Sequence, residues 1–196
     1  MFEVVQHLPL DIQRDLIEVV RGVVANAPLI TPKMKNGTPF NYQITSAGQC
    51  GWMSAAGKGY YYAKKQTNGR EFPEMPRLIY DLAKHFAADG TYEPQTALIN
   101  IYNEGGKLGL HQDIDEQVNA PVVSFSLGLS AKFLLGGKQR NDPLKEILLH
   151  SGDVFLMSGD DRWNFHGVKE VLPILPDGLE LRKPVRINIT VRQVYK

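Results

Sequence analysis

Residues 96–116 read T-A-L-I-N-I-Y-N-E-G-G-K-L-G-L-H-Q-D-I-D-E. Thr96 to Tyr102 is a short apolar run with strand composition, Glu104-Gly105-Gly106 is a turn signal, and Leu108 to Glu116 then resumes. A strand, a glycine turn and a second strand set the class of everything downstream. If 108–116 is extended, His111, Asp113 and Asp115 point to one side, because side chains two apart share a face. An imidazole and a carboxylate at that spacing can grip a metal ion. A polar edge strand with solvated acids carries the same pattern.

Outward toward the C-terminus the texture persists. Val122 to Leu129 leads to Ala131 to Leu135, closed by Gly136-Gly137. Glu146 to His150, Asp153 to Met157, Phe165 to Val168 and Arg186 to Val194 follow. Many short strands with glycine turns predict an all-β sandwich or jelly roll. Asp160, Asp161 and Arg162 read as a turn with a local ion pair.

Toward the N-terminus two helices are expected. Arg77 to Ala88 places Leu78, Ile79, Leu82 and Phe86 on one face, with Asp89-Gly90 as its stop. Ile12, Leu16, Val19, Val20 and Val23 recur at helical spacing behind Asp11 as cap, and Asn26 with Pro28 ends that helix. Between them, residues 30–72 are rich in Gly, Pro, Asn and Lys, too long for a plain connector, and read as a lid. Trp52, Tyr60, Tyr61 and Tyr62 lie there among Lys58, Lys64, Lys65 and Arg70. That mixture suits stacking of bases and neutralisation of phosphates, although half-buried strand tyrosines beside solvated lysines have the same composition.

The 196 residues suffice for one domain with a sizeable core. With 43% hydrophobic and 22% charged residues, disordered and fibrous classes are excluded, and a net charge of +1 excludes a strongly basic nucleic-acid coat. The single cysteine, Cys50, excludes an intramolecular disulfide and a cysteine-rich zinc site, and fits a reducing, cytoplasmic setting. The N-terminus lacks the features of a signal peptide, and the run Pro121 to Ala131 falls far short of the roughly 20 residues that span a bilayer. A soluble protein is expected.

A second histidine, His166 in N-F-H-G-V, can return beside His111 and Asp113 in a strand-rich fold. Two histidines and one carboxylate match non-haem Fe(II) oxygenases, with zinc as the competitor. The final strand R-I-N-I-T-V-R (186–192) bears on the choice. Alternation puts Arg186, Asn188, Thr190 and Arg192 on one face and Ile187, Ile189 and Val191 on the other. Buried arginines need an anion, and a small dicarboxylate would satisfy both. The solvent side of an edge strand is the other reading.

The stretches N-I-Y-N-E-G-G-K-L-G-L-H-Q-D-I-D-E, S-F-S-L-G-L, R-N-D-P-L, S-G-D-V, F-H-G and R-I-N-I-T-V-R follow one another as they do in the AlkB family of Fe(II) and 2-oxoglutarate dependent dioxygenases. With G-W and G-Y-Y-Y in the lid, the sequence resembles the bacterial DNA-repair branch from about Cys50 to Gln193. The resemblance implies a mainly β chain with flanking helices, built on a double-stranded β-helix (jelly roll) with an N-terminal nucleotide-recognition lid. As one domain, 1–196, it would comprise an N-terminal helix (1–29), the lid (30–72), a supporting helix (73–90) and the catalytic core (91–196). Ile101 and Met157 depart from the family pattern and bear on substrate preference.

The same resemblance implies Fe(II) held by His111, Asp113 and His166, with 2-oxoglutarate and O2 as co-substrates. Arg186 and Tyr102 would hold the distal carboxylate of 2-oxoglutarate, Arg192 and Asn100 would serve its chelating end, and Asn188 would support them. Trp52, Tyr60 and Tyr62 match substrate contacts of the lid. Asp115 matches an acid facing the exocyclic amine of the target base, and Arg140 an arginine at the pocket mouth. The implied reaction is oxidative demethylation of bases such as 1-methyladenine and 3-methylcytosine, with release of succinate, CO2 and formaldehyde. The implied partner is alkylated DNA, preferentially single-stranded, or RNA, with no membrane and a monomeric protein. The same oxidation of a tRNA base, a protein or a small molecule is an alternative; a non-catalytic nucleic-acid-binding module fits the intact metal set less well.

Overall fold

The arginine-bearing last strand lies in the middle of the larger sheet, not at its edge. The computed structural model describes residues 2–55 and 57–196. Met1 and Ala56, which fall in the expected N-terminal segment and lid, lie outside the described residues. The chain runs β1 (Phe2–His7), α1 (Leu10–Asn26), β2 (Tyr42–Gly48), β3 (Gly51–Ala55), β4 (Gly59–Ala63), α2 (Arg77–Ala87), β5 (Thr96–Tyr102), β6 (Leu108–His111), β7 (Val122–Gly128), β8 (Ala131–Leu135), β9 (Lys145–Leu149), β10 (Asp153–Met157), a 3-10 turn (Gly159–Trp163), β11 (His166–Val171) and β12 (Arg186–Arg192). The major sheet has the order β1-β10-β7-β12-β5-β2 and the minor sheet β6-β11-β8-β9, while β3 and β4 form a separate hairpin. All pairs are antiparallel.

Alternation along β12 explains how the sheet separates core from site. Ile187, Ile189 and Val191 join a cluster with Leu16, Val20 and Val23 of α1 and Ile79 and Ala83 of α2, so both helices cover one face of the major sheet. The opposite face meets the minor sheet. Its apolar contacts, Tyr42, Ile44, Leu98 and Tyr102 against Leu129, Ala131 and Val168, seal one flank. Between the sheets, the polar face of β12 looks into a cleft. Central placement, between β5 and β7, together with the burial of Arg186 and Arg192, excludes the reading of that face as the solvent side of an edge strand.

Two glycines permit the close approaches this needs. Gly128 holds φ +77° where a Cβ would lie 2.2 Å from the Val185 carbonyl oxygen. At Gly167 a Cβ would lie 2.7 Å from the Leu108 carbonyl oxygen, which lets β11 close against β6 and sets His166 opposite His111.

The structure corrects several sequence expectations. The segment 1–29 is not helix alone, because Phe2–His7 pairs with β10. Nor is 30–72 lid throughout: Tyr42–Gly48 completes the edge of the major sheet, leaving the β3–β4 hairpin and its flanking loops over the cleft. Helix α1 starts at Leu10 behind Pro9, so Asp11 sits in the first turn, where its Oδ1 accepts from the Ile12 amide at 2.9 Å. Helix α2 stops at a left-handed Ala88 (φ 51°), one residue before Asp89-Gly90. Among the described residues, no helix is long and apolar enough to cross a membrane.

Candidate active site

His111 closes β6, and pairing in register brings it opposite His166, the first residue of β11. Their rings lie 4.4 Å apart, centroid to centroid. Asp113 follows after the strand has ended, and its carboxylate turns back toward both: Oδ1 is 3.7 Å from His111 Nε2 and Oδ2 is 4.0 Å from His166 Nε2. One ligand atom from each of the three residues lies within 4.8 Å of the others. The extended run expected through 116 stops at His111, so Asp115 does not share the face of Asp113 by strand alternation. It turns to the lid, where its Oδ2 accepts from Trp52 Nε1 at 3.2 Å.

The histidine tautomers follow from their partners. His111 Nδ1 is 3.0 Å from the Gly109 carbonyl and His166 Nδ1 is 3.0 Å from the Asn164 carbonyl. A carbonyl only accepts, so each Nδ1 carries the hydrogen and each Nε2 presents its lone pair to the site. Burial, reinforced by His111, pushes the pKa of His166 down to about 4 against the pull of Asp113, so its ring is neutral at physiological pH. Phe133 and Phe2 flank that ring, the latter from the strand the sequence did not reveal.

Asp113 is 8% exposed. Burial alone would raise its pKa, but Arg192, then the two histidines and Arg162, outweigh it and hold the carboxyl well below the usual range. Arg192 supplies the largest of these effects through Nη2 and Nε, 2.7 and 3.2 Å from Asp113 Oδ2. The neutral His166 ring and the ionised Asp113 carboxylate therefore converge with His111 Nε2, each offering the metal a donor atom.

The polar face of β12 behaves as an anion site. Among the described residues, the buried side-chain nitrogens and oxygens without a hydrogen-bond partner are Arg186 Nε and Nη1 and Arg192 Nη1. Arg186 is held through Nη2 to Ser126 Oγ (3.1 Å), faces Tyr102 across the β12–β5 register, and burial lowers its pKa to about 10. Asn188 pairs with Asn100 in that register, donates to Ser124 Oγ at 2.7 Å and accepts from Thr190 Oγ1 at 3.0 Å. Buried guanidinium donors without acceptors are costly unless an anion meets them, and two arginines on one strand fit a dicarboxylate.

The sequence-predicted residues all line one cleft of about 770 Å³. Trp52 and Tyr60 stack at 5.1 Å with a 28° interplanar angle on the hairpin side, and Tyr62 donates to Glu116 Oε1 at 2.6 Å. Arg140 sits at the rim, donating to the Leu110 carbonyl at 2.9 Å. Of the two departures from the family pattern, Met157 lines the cleft while Ile101 packs on the helix-covered face, away from it.

Sequence reasoning missed Glu116 and misplaced Arg162. Instead of a local pair, Arg162 Nη2 meets Glu116 Oε2 at 2.9 Å. No short-range spacing signals a contact between residues so far apart in the chain.

An iron-type triad beside a two-arginine anion pocket, between the sheets of a jelly roll, defines an Fe(II)- and 2-oxoglutarate-dependent oxygenase, and residues 5–192 match the 2OG-Fe(II) oxygenase superfamily. An alpha-ketoglutarate-dependent dioxygenase AlkB homolog of Caulobacter vibrioides is 38% identical over 192 residues, covering 95% of this chain and 84% of that protein. The alpha-ketoglutarate-dependent dioxygenase AlkB of Escherichia coli is 37% identical, covering 92% and 84%. The solved structure titled "The structure of OsALKBH1" superposes with a TM-score of 0.80 at 29% identity, covering 98% of this chain and 97% of that one. The chain belongs to the AlkB family, whose chemistry uses Fe(II), 2-oxoglutarate and O2.

Proposed function

We propose that this dioxygenase removes N-alkyl groups from nucleobases such as 1-methyladenine and 3-methylcytosine, in DNA, preferentially single-stranded, and in RNA. The observation that carries this reading is the Trp52–Tyr60 stack over the cleft that holds the triad. A base flipped into that cleft meets an aromatic face above and ligand groups below. Charge supports it: residues 30–72 hold six basic side chains and one acid, Glu71, so that segment carries +5 in a chain whose net charge is +1. We further infer a monomer acting in the cytoplasm; its single cysteine, Cys50, is buried and free, in keeping with a reducing compartment.

His111, Asp113 and His166 would hold the metal through Nε2, a carboxylate oxygen and Nε2. Arg186 and Tyr102 would take the distal carboxylate of 2-oxoglutarate, Arg192 and Asn100 its chelating end, and Asn188 would brace the pair. When bound, iron(II), 2-oxoglutarate and O2 together supply an oxidant that inserts one oxygen atom into a methyl C–H bond and leave succinate and CO2. The resulting N-hydroxymethyl group leaves as formaldehyde, restoring the base. Around that chemistry the chain binds, orients and excludes water. Trp52, Tyr60 and Tyr62 clamp the base, Arg140 takes charge at the mouth, and Asp115 accepts from the exocyclic amine that adenine and cytosine share.

The test is direct. Incubation with Fe(II), ascorbate, 2-oxoglutarate and a single-stranded oligonucleotide containing 1-methyladenine should remove the mass of one methylene, with formaldehyde and succinate in equal amounts. An unchanged oligonucleotide beside strong succinate release on another substrate would overturn the reading.

Asp115 provides the specificity test. Asp115→Ala removes a charged acceptor worth about 1.5–3 kcal/mol. We expect kcat/KM on 1-methyladenine and 3-methylcytosine to fall about 10- to 100-fold, while 3-methylthymine, which has no exocyclic amine, is spared. Equal losses on all three lesions would remove Asp115 from base reading.

A further inference from the structure

The 3-10 turn before His166 carries a buried arginine that the proposed chemistry does not use. Arg162 is 1% exposed, and its three donor nitrogens diverge onto one short segment: Nη1 to the carbonyl of Asp113 (2.7 Å), Nη2 to Glu116 Oε2 (2.9 Å) and Nε to the carbonyl of Ala120 (3.1 Å). That segment needs holding. Strand β6 ends at His111, and residues 112–116 lie outside the named strands. Asp113 therefore reaches the site on a loop, whereas His166 opens a strand and is paired on both sides, with His111 of β6 and Leu135 of β8.

Arg162 spans the two. Its own turn leads into Asn164, whose carbonyl orients His166, and its guanidinium grips the backbone of Asp113. Gln112 crosses in the opposite direction, donating to the carbonyl of Trp163. The counter-ion is tied in as well, since Glu116 Oε1 accepts from Tyr62 of the lid and lies 3.2 Å from Arg192 Nε. A planar fork suits three divergent acceptors; a lysine ammonium, compact and on a flexible stem, does not reach all three.

We propose that Arg162, with Glu116 as its counter-ion, is a positioning residue that fixes Asp113 relative to His166 and thereby sets the affinity and geometry of the metal site. The proposal rests on the metal reading of the triad, and goes beyond it in making a residue that offers the metal no donor atom of its own decide how well the metal is held. Partners that orient metal ligands from behind change metal affinity about 10- to 100-fold when removed.

The test titrates the metal-free protein with Co(II) without oxygen, following the visible absorption of the bound ion beside the thermal unfolding of the metal-free form. Removing Arg162 alone would leave the buried Glu116 with one of its two arginines, so the informative protein is the Arg162→Met, Glu116→Gln double variant, which removes both charges at similar volume. Its metal-free melting temperature should stay near that of the wild type, while its Co(II) dissociation constant rises about 10- to 100-fold and the absorption band shifts. Arg162→Lys, which keeps the charge but not the fork, should fall between. Wild-type affinity and band in the folded double variant would overturn the proposal. Should the double variant fail to fold, wild-type Co(II) binding by Arg162→Lys would do the same. A His111→Ala control that keeps the band would overturn the metal reading itself, a result distinct from either.

Discussion

His111→Ala is expected to reduce turnover to the no-enzyme background while leaving the fold intact. The reaction needs a redox metal, so no bypass remains once a ligand is lost. Stability should change little, because the His111 side chain is 35% exposed and closes a strand. Asp113→Ala should be equally inactive but less stable. Its carboxylate answers Arg192, and a buried charge that loses its partner costs about 3–5 kcal/mol, with Glu116 still 3.2 Å from Arg192 Nε holding the loss to the lower end. The two measurements, succinate release and denaturant unfolding of metal-free protein, separate the roles. A metal that binds only the native state adds about 2.7 kcal/mol at a hundred times its dissociation constant. Mn(II) should therefore raise the melting temperature of the wild type and leave that of His111→Ala unchanged. Residual turnover in His111→Ala would show that another residue completes the metal site.

What was legible in the sequence divides along physical lines. Period-two alternation in 186–192 separated the arginine face from the isoleucine face, since a side chain's face is set by local geometry. Whether the polar face met solvent or a cleft was not legible, because that depends on which strands pair with β12, and pairing is a long-range choice. Applied to β5, the same alternation would have placed Ile101 with Ala97 and Ile99, beneath the helices and away from substrate. The loop after His111 escaped for a related reason: H-Q-D-I-D-E reads as extended whether or not a partner strand continues alongside it. Ladder pairing ends at His166 opposite His111, and side-chain ties take over from there.

Strands β1 and β2 were hidden by composition. Phe2–His7 is an edge strand with most side chains half-buried or exposed, so it carries almost no hydrophobic pattern, yet its Phe2 packs beside His166. Tyr42–Gly48 is buried at most positions on both faces and so loses the alternation that would mark it within a glycine- and lysine-rich stretch. Arg162 was misread for the simplest reason. Two acids precede it, and a local pair is the nearest explanation of a charge cluster, but its buried guanidinium is satisfied by residues brought close only by the closing of the two sheets.

Arg186→Met should show how the anion pocket is built, through two effects of opposite sign. Arg186 is buried with Nε and Nη1 unpartnered, and burial lowers its pKa to about 10 against the opposing pull of Tyr102 and Asp153, so the ligand-free protein holds a cation it does not fully compensate. Removing that cation should make the ligand-free protein more stable, since replacing buried charge by an apolar side chain of similar volume is often stabilising by about 1–4 kcal/mol. The same substitution should weaken 2-oxoglutarate. Losing one member of a buried, hydrogen-bonded charge pair costs about 2–5 kcal/mol, which corresponds to a KM increase of about 30-fold or more. The sign reversal is what makes the experiment diagnostic. With metal present and oxygen excluded, 2-oxoglutarate should raise the melting temperature of the wild type steeply and that of Arg186→Met hardly at all, so the two unfolding curves exchange order as ligand is added. If Arg186 were a structural arginine satisfied by Ser126 and its strand neighbours, Arg186→Met would instead lower stability with and without ligand, and the two dicarboxylate-facing nitrogens would need another explanation.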